Sequence, residues 1–171
     1  MILLFRFVLV MVLSAFRRRI HPLGESVVHF TVFPTDCDLN FHLNAGRFVS
    51  FFDVSRVELL GRMRMFRKVI GRGWRPMITG VVVRYRRSLL PFERFSVRSR
   101  VIGWDEKWFY FEHVIERHGQ MCAIAHARGL FRGAGRNVPP PEFLELAGIA
   151  GTPSPELPPF VHAWHDAEEL R

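Results

Sequence analysis

Between Ala45 and Met63 apolar residues return every three or four positions, at Ala45, Phe48, Val49, Phe52, Leu59, Leu60 and Met63. That spacing predicts a long amphipathic helix with one stripe facing a core. Arg47, Ser50, Asp53, Glu58 and Arg62 fall mostly on other faces, and Glu58 with Arg62 forms an i,i+4 pair. On both sides of the helix the period changes. Val27–Phe33 (VVHFTVF) is β-branched and aromatic, which predicts a strand, and Pro34 ends it. After the helix, Arg64–Ile70 reads as a short helical turn stopped by Gly71 and Gly73. Four strand signals follow: Met77–Ser88, Phe95–Gly103, Lys107–Arg117 and Gln120–Arg132. The turns between them are short, so they are expected to pair in succession as antiparallel neighbours. In the last strand Ala123, Ala125, Ala127 and Gly129 share a face, leaving room for a backbone to approach closely. The long helix is the expected neighbour.

The ends of the chain differ from this middle. Met1–Phe16 is apolar except for Arg6 and Ser14, and Arg17, Arg18 and Arg19 follow it. A secretory signal carries its charges before the apolar run. A sixteen-residue helix is about 24 Å long, short of the ~30 Å hydrocarbon core. Residues 1–19 therefore read as a helix at a membrane surface or a marginal anchor, with the arginines facing anionic headgroups on the cytoplasmic side. The other reading is a terminal helix that packs on the domain or on a partner subunit. Residues 20–133 form the expected main domain. Residues 134–171 are a proline-rich extension, with a short helix at Pro141–Ala147 and a last helical turn or pair at Phe160–Leu170.

One stretch concentrates polar chemistry. In Thr35–Phe48 (TDCDLNFHLNAGRF), Asp36, Asp38, Asn40, His42 and Asn44 alternate with Cys37, Leu39, Phe41 and Leu43. Alternation predicts an extended segment with one wet and one buried face. Asn44 is placed to cap the long helix, so the polar groups are delivered to its positive end.

Composition changes the picture in one respect. The formal net charge is +8, almost all of it arginine, since Lys68 and Lys107 are the only lysines among 171 residues. Arginine suits bidentate contact with phosphate or carboxylate, so an anionic partner is expected. No nucleic-acid partner is expected, because zinc-finger spacing, a phosphate-binding glycine loop and RNA-binding aromatic motifs are all missing. Cys37 and Cys122 are too few for a disulfide framework. The basic set Arg62, Arg64, Arg67, Lys68 and Arg72 reads as a solvated face before it reads as a site.

Taken in order, strand, polar loop, long helix and four-stranded antiparallel run predict an α+β architecture: a central helix wrapped by a curved antiparallel sheet. At Pro34–Phe48 (PTDCDLNFHLNAGRF), Arg84–Phe95 (RYRRSLLPFERF) and Gly103–Glu112 (GWDEKWFYFE), with Ser154–Trp164 in support, the sequence resembles the hotdog-fold acyl-CoA thioesterases of the 4-hydroxybenzoyl-CoA thioesterase-like group. Within it the chain is similar to the thioesterase superfamily member 6 proteins and their bacterial counterparts. The resemblance implies a hotdog fold and an acyl-CoA substrate. No cofactor is expected, and no metal, because Asp36, Asp38 and His42 are fewer ligands than an oxygen-rich cation site usually needs. The resemblance also implies a homodimer or tetramer of dimers, with sheets joined edge to edge and sites at the subunit interface. It places the catalytic acid at Asp38, with Asn40 and His42 as assistants. Two family positions are filled differently here: an Asn-Asn pair is Asn44-Ala45, and a Tyr is Phe48. A Glu that assists in related plant enzymes would fall near Arg87 or Ser88.

Thioester hydrolysis is therefore the expected activity, with Asp38 as general base or nucleophile. Backbone amides at Ala45 and Gly46 would hold the oxyanion. Arg84 and Arg86 would meet the coenzyme A phosphates. The alternative is a catalytically weak acyl-thioester or lipid-binding protein of the same fold at a membrane surface. The expected location is cytoplasmic, peripheral on the membrane. Asp36 and Asn44 read as turn and cap, Cys37 as a thiol kept protonated between two acids, and His29, His113 and His126 as structural.

Overall fold

The structure, a computed structural model, describes residues 2–169. Helix α1 is Ile2–Phe16 and strand β1 is Ser26–Thr31. A single 3₁₀ turn at Pro34–Asp36 leads toward helix α2, Ala45–Arg62, and helix α3 is Phe66–Gly71. Strands β2 (Arg75–Tyr85), β3 (Arg94–Trp104), β4 (Phe109–Arg117), β5 (Gln120–Gly133) and β6 (Arg136–Val138) follow, then helices α4 (Pro140–Ala147) and α5 (Pro159–Glu169). The strands form one antiparallel sheet in the order β1-β3-β4-β5-β2, with β6 added to β5. This curled sheet around a central helix is the hotdog fold, an α+β architecture.

The order corrects one expectation. β2 does not pair with β3, its successor in the chain; it pairs with β5, from Arg75↔Arg132 to Tyr85↔Ala123. β2 and β3 stand three strand spacings apart, about 14 Å at ~4.8 Å each. The eight-residue link Arg86–Glu93 spans that easily at up to ~3.3 Å per residue. It is pinned by Leu89, which is fully buried and whose carbonyl accepts the Leu43 N–H at 2.8 Å. The edge β1 offered to β3 is long and in register, Ser26↔Ser99 to Thr31↔Arg94, so tertiary pairing overrides the hairpin that a short connection suggests.

α2 packs its Phe48, Phe51, Phe52 and Val54 into a core with Phe30, Phe95, Val97, Ile115, Ala123 and Ala125. Its C-terminal half meets a second core that includes Trp74, Phe109, Phe131 and Phe143 of α4. The long helix lies closest to β1 and β3. The close approach at Gly129 is therefore not to α2: a Cβ there would stand 2.7 Å from the Met77 carbonyl oxygen on β2. α5 covers part of the other sheet face, where the Phe160 ring meets His126 at a tilt, 4.1 Å between centroids, and Val161 is buried.

α1 lies along α2 and is tied to it by its few polar residues. Ser14 is buried against Gly61, where any Cβ would collide with the Ser14 hydroxyl. Arg17 donates to the buried Glu58 carboxylate at 3.1 Å. Glu58 is thus a buried acid shared by Arg17 and Arg62 rather than half of a surface pair. Arg64 donates to the carbonyls of Ser14, Ala15 and Arg17, which the end of α1 leaves without helical partners. Arg62 and Arg64, read as solvated, instead hold two helices together.

Candidate active site

The segment 35–44 is not extended. Cys37 and Leu43 form an isolated bridge, and between them the chain turns back on itself. The Asp38 N–H donates to the His42 carbonyl at 2.9 Å, and the Phe41 N–H to the Asp38 carbonyl at 3.1 Å. The Asp38 carboxylate accepts the Asn40 N–H at 2.9 Å, an Asx turn. Short polar side chains that bond their own backbone compete with strand geometry, and here they win. Phe41 takes φ +55°, in the left-handed region. The expected buried face is consequently on the outside, with Leu39 98% and Phe41 75% exposed.

Asp36 and Asp38, two residues apart, have opposite surroundings. Asp36 is buried, accepts the Phe33 N–H at 3.0 Å and pairs with Arg6 of α1 at 2.8 Å. Arg6 also donates to the Thr31 carbonyl at 2.9 Å and lies over the rings of Phe33 and Phe51. The Asp36 carbonyl accepts the Asn44 N–H at 3.0 Å, which fixes the entry to α2. Asp38 is half-buried, and its second carboxylate oxygen has no hydrogen-bond partner among the described residues. The turn gathers the side chains of Asn40, exposed, and His42, half-buried, on the same five-residue loop, with no hydrogen bond to either side chain among the described residues. Burial and the carboxylates of Asp36 and Asp38 push the Cys37 thiol above its ordinary value, which keeps it protonated.

Asn44 caps α2 as expected, its side-chain oxygen accepting the Gly46 N–H at 2.9 Å. This corrects half of the expected oxyanion pair. The Gly46 amide is already engaged, whereas the Ala45 amide has no acceptor among the described residues. Tyr85, at the end of β2, reaches the same helix end. Its hydroxyl donates to the Ala45 carbonyl at 3.1 Å and its ring meets Phe48 edge-on at 5.1 Å. Burial raises the Tyr85 phenol, so it stays a donor. Arg84 and Arg86 are exposed. Val81, Val83 and Tyr85 face the core and α2, so alternation along β2 turns Arg84 to the opposite sheet face, away from Asp38 of its own chain.

A second polar group lies farther along α2. An apolar cavity of about 310 Å³, lined by Leu60, Met63, Met77, Phe109 and Phe111 among others, has Asp53 and Arg56 as its charged side chains. Arg56 pairs with Asp53 and sits 2.9 Å from His113 Nε2. Arginine only donates, so Nε2 accepts and Nδ1–H donates to Ser99 Oγ at 2.7 Å. His113 is fully buried and stacked on Phe52. Burial, then the Arg56 and His126 charges, hold it well below its ordinary 6.5, so it is neutral. No group of three or more metal-binding side chains occurs among the described residues.

Residues 32–164, well over half of the chain, match the Thioesterase-like superfamily. The chain belongs to that superfamily. It is 33% identical over 119 residues to Protein THEM6 of Danio rerio, covering 68% of this chain and 59% of that protein. It is 27% identical over 121 residues to the Probable thioesterase YBR096W of Saccharomyces cerevisiae, covering 68% and 52%. The chain thus spans about half the length of the curated relatives it matches. Among solved structures, the YbaW probable thioesterase from Escherichia coli superposes with a TM-score of 0.67 at 17% identity, covering 74% of this chain and 98% of that one. The hypothetical protein TT1821 from Thermus thermophilus gives 0.65 at 22% identity, covering 71% and 95%. At such identities these two show the fold.

The fold gathers Asp38, Asn40 and His42 on one turn of the loop that leads into α2, and it turns Arg84 to the other sheet face. Sequence reasoning missed Tyr85 and the Asp53–Arg56–His113–Ser99 chain. Tyr85 stands forty residues from Ala45, and no spacing rule connects them. Asp53 and Arg56, at i,i+3 on a helix, were a visible pair; their partner His113 was not.

Proposed function

We propose that this protein hydrolyses an acyl-CoA thioester to the free acid and coenzyme A. What supports this reading is the Asp38 carboxylate on the loop leading into α2, with one oxygen accepting the Asn40 N–H and the other without a hydrogen-bond partner among the described residues. In the general-base route Asp38 takes a proton from water, and the hydroxide adds to the thioester carbonyl carbon. The oxyanion forms beside the Ala45 amide, where the helix dipole favours negative charge. The C–S bond then breaks, and the thiolate of coenzyme A leaves and is protonated. In the nucleophilic route Asp38 attacks the carbonyl carbon, the C–S bond breaks to release the coenzyme A thiolate, which is protonated, and water opens the resulting anhydride to free the acid and restore Asp38. Asn40 and His42 orient water or the thioester.

A homodimer completes the reading. β2 is an edge strand with Met77, Ile78 and Val82 exposed, a template for a second copy. Across such a joint, Arg84 and Arg86 would serve the partner's coenzyme A phosphates. Residues 1–19 would hold the protein peripherally at a membrane on the cytoplasmic side. No helix among the described residues is long and apolar enough to cross one. One observation favours the alternative, a weak acyl-thioester or lipid-binding protein: the Gly46 amide is held by Asn44. Free coenzyme A released from short, long and aromatic acyl-CoAs decides between them. Turnover of at least one supports hydrolysis; binding of acyl-CoA with no turnover of any supports the alternative.

A further inference from the structure

We propose that the outer face of α1 lies flat on an anionic lipid bilayer while its inner face stays locked to the domain. This extends the membrane part of the proposed function and stands apart from its hydrolytic part. Phe5, Val8, Leu9, Val12, Leu13 and Phe16 are 43–84% exposed and follow the i, i+3, i+4 spacing of one helix face from Phe5 to Phe16. Contiguous exposed apolar surface of this kind marks a contact site. The opposite face is a different surface. Arg6, Val10 and Ser14 are buried, with Arg6 on Asp36 and Ser14 against Gly61.

The chemistry of the outer face selects its occupant. A protein partner asks for about one hydrogen bond per 100–200 Å² of contact, and this stripe offers no side-chain donor or acceptor. Hydrocarbon asks for none. The charge at the helix end fits headgroups. Arg18 and Arg19 are exposed directly after α1, Arg64 caps its last carbonyls, and Arg67 is exposed three residues further on. No acid occurs from residue 2 to residue 24. A second copy would bring the same cations; an anionic leaflet neutralises them, at ~1 kcal/mol per arginine near the surface.

The locked inner face sets the orientation. α1 is fifteen residues, about 22 Å, shorter than the ~30 Å hydrocarbon core. Turning end-on would break Arg6–Asp36 and strip the Arg64 cap, so the helix lies in the interface plane.

The test is co-sedimentation of the full chain with vesicles of phosphatidylcholine alone and of phosphatidylcholine mixed with phosphatidylserine, alongside its size in solution. Binding to the mixed vesicles, weakened by salt, is expected. Val8→Glu with Val12→Glu should abolish it, and Arg18→Glu with Arg19→Glu should weaken it roughly tenfold or more. These positions are exposed, and circular dichroism verifies the fold. Failure of the folded wild type to bind the mixed vesicles overturns the proposal. So does a Val8→Glu, Val12→Glu variant that still binds but changes oligomeric state, which would make this face a contact between copies. Neither result depends on whether an acyl-CoA is hydrolysed.

Discussion

The two ends of polar chemistry along α2 differ in how completely their groups are used. Midway along the helix, Arg56 and Ser99 engage both ring nitrogens of the fully buried, neutral His113, and the exposed Asp53 pairs with Arg56 from the solvent side. At the N-terminus the groups divide. Asp36 takes an amide and two arginines, Asn44 takes the Gly46 amide, and Asp38 has one oxygen without a hydrogen-bond partner among the described residues. The buried part of the midway network, Arg56–His113–Ser99, has both histidine nitrogens satisfied, and a satisfied buried network fixes a fold. A half-exposed carboxylate with an unengaged oxygen at a helix N-terminus can act on a ligand. The comparison separates residues of the same type two positions apart, which composition alone could not do.

Breaking the scaffold side should cost the most stability. Asp36→Ala leaves Arg6 buried without its carboxylate, for which about 3–5 kcal/mol is expected. Chemical denaturation should show a large drop in midpoint, and Arg6→Met combined with Asp36→Ala should recover part of it, because no lone charge then remains. If the double variant is no better than the single one, the pair is not what holds α1 to the loop.

Gly61→Val should come next. The new side chain meets Ser14 where α1 crosses α2, and overpacking of this kind costs about 1–3 kcal/mol. Faster proteolysis within residues 2–16 would report α1 lifting off, and an unchanged pattern would argue against the close crossing.

The network around His113 should announce itself through pH. Its folded-state value lies well below 6.5, so below that pH the unfolded chain binds a proton that the folded chain refuses. Stability is fully present above 6.5 and falls as the pH drops through it. His126, lowered mainly by burial, adds in the same direction. His113→Asn should lower stability at neutral pH and flatten this acid slope. An unchanged slope would place the titration elsewhere.

The smallest effect is at the cap. Asn44→Ala should cost about 1 kcal/mol and free the Gly46 amide.

Much of this was legible in the sequence for physical reasons. The stripe from Phe48 to Met63 announced α2 to within a residue of its end, because burial of one helix face imposes a period. Strands β1 to β5 were equally readable from β-branched and aromatic runs, whereas the three-residue β6 (Arg136–Val138), inside the stretch read as a proline-rich extension, was not. Nor was pairing, since β2 joins β5 through partners as far apart as Arg75 and Arg132, which leave no local trace. The loop misled in a specific way. Its alternation was real, but Asp38 and Phe41 close a turn, so Leu39 and Phe41 emerge where burial was expected. The division of labour between Asp36 and Asp38 depended on Arg6, thirty residues upstream, the one charge within α1.

The most direct test of the central claim is turnover of an accepted acyl-CoA by Asp38→Asn, measured beside its melting temperature. The account predicts unchanged melting and a loss in kcat of about 10²–10⁴-fold, the usual contribution of a positioned acid–base group. Wild-type turnover by Asp38→Asn would contradict it.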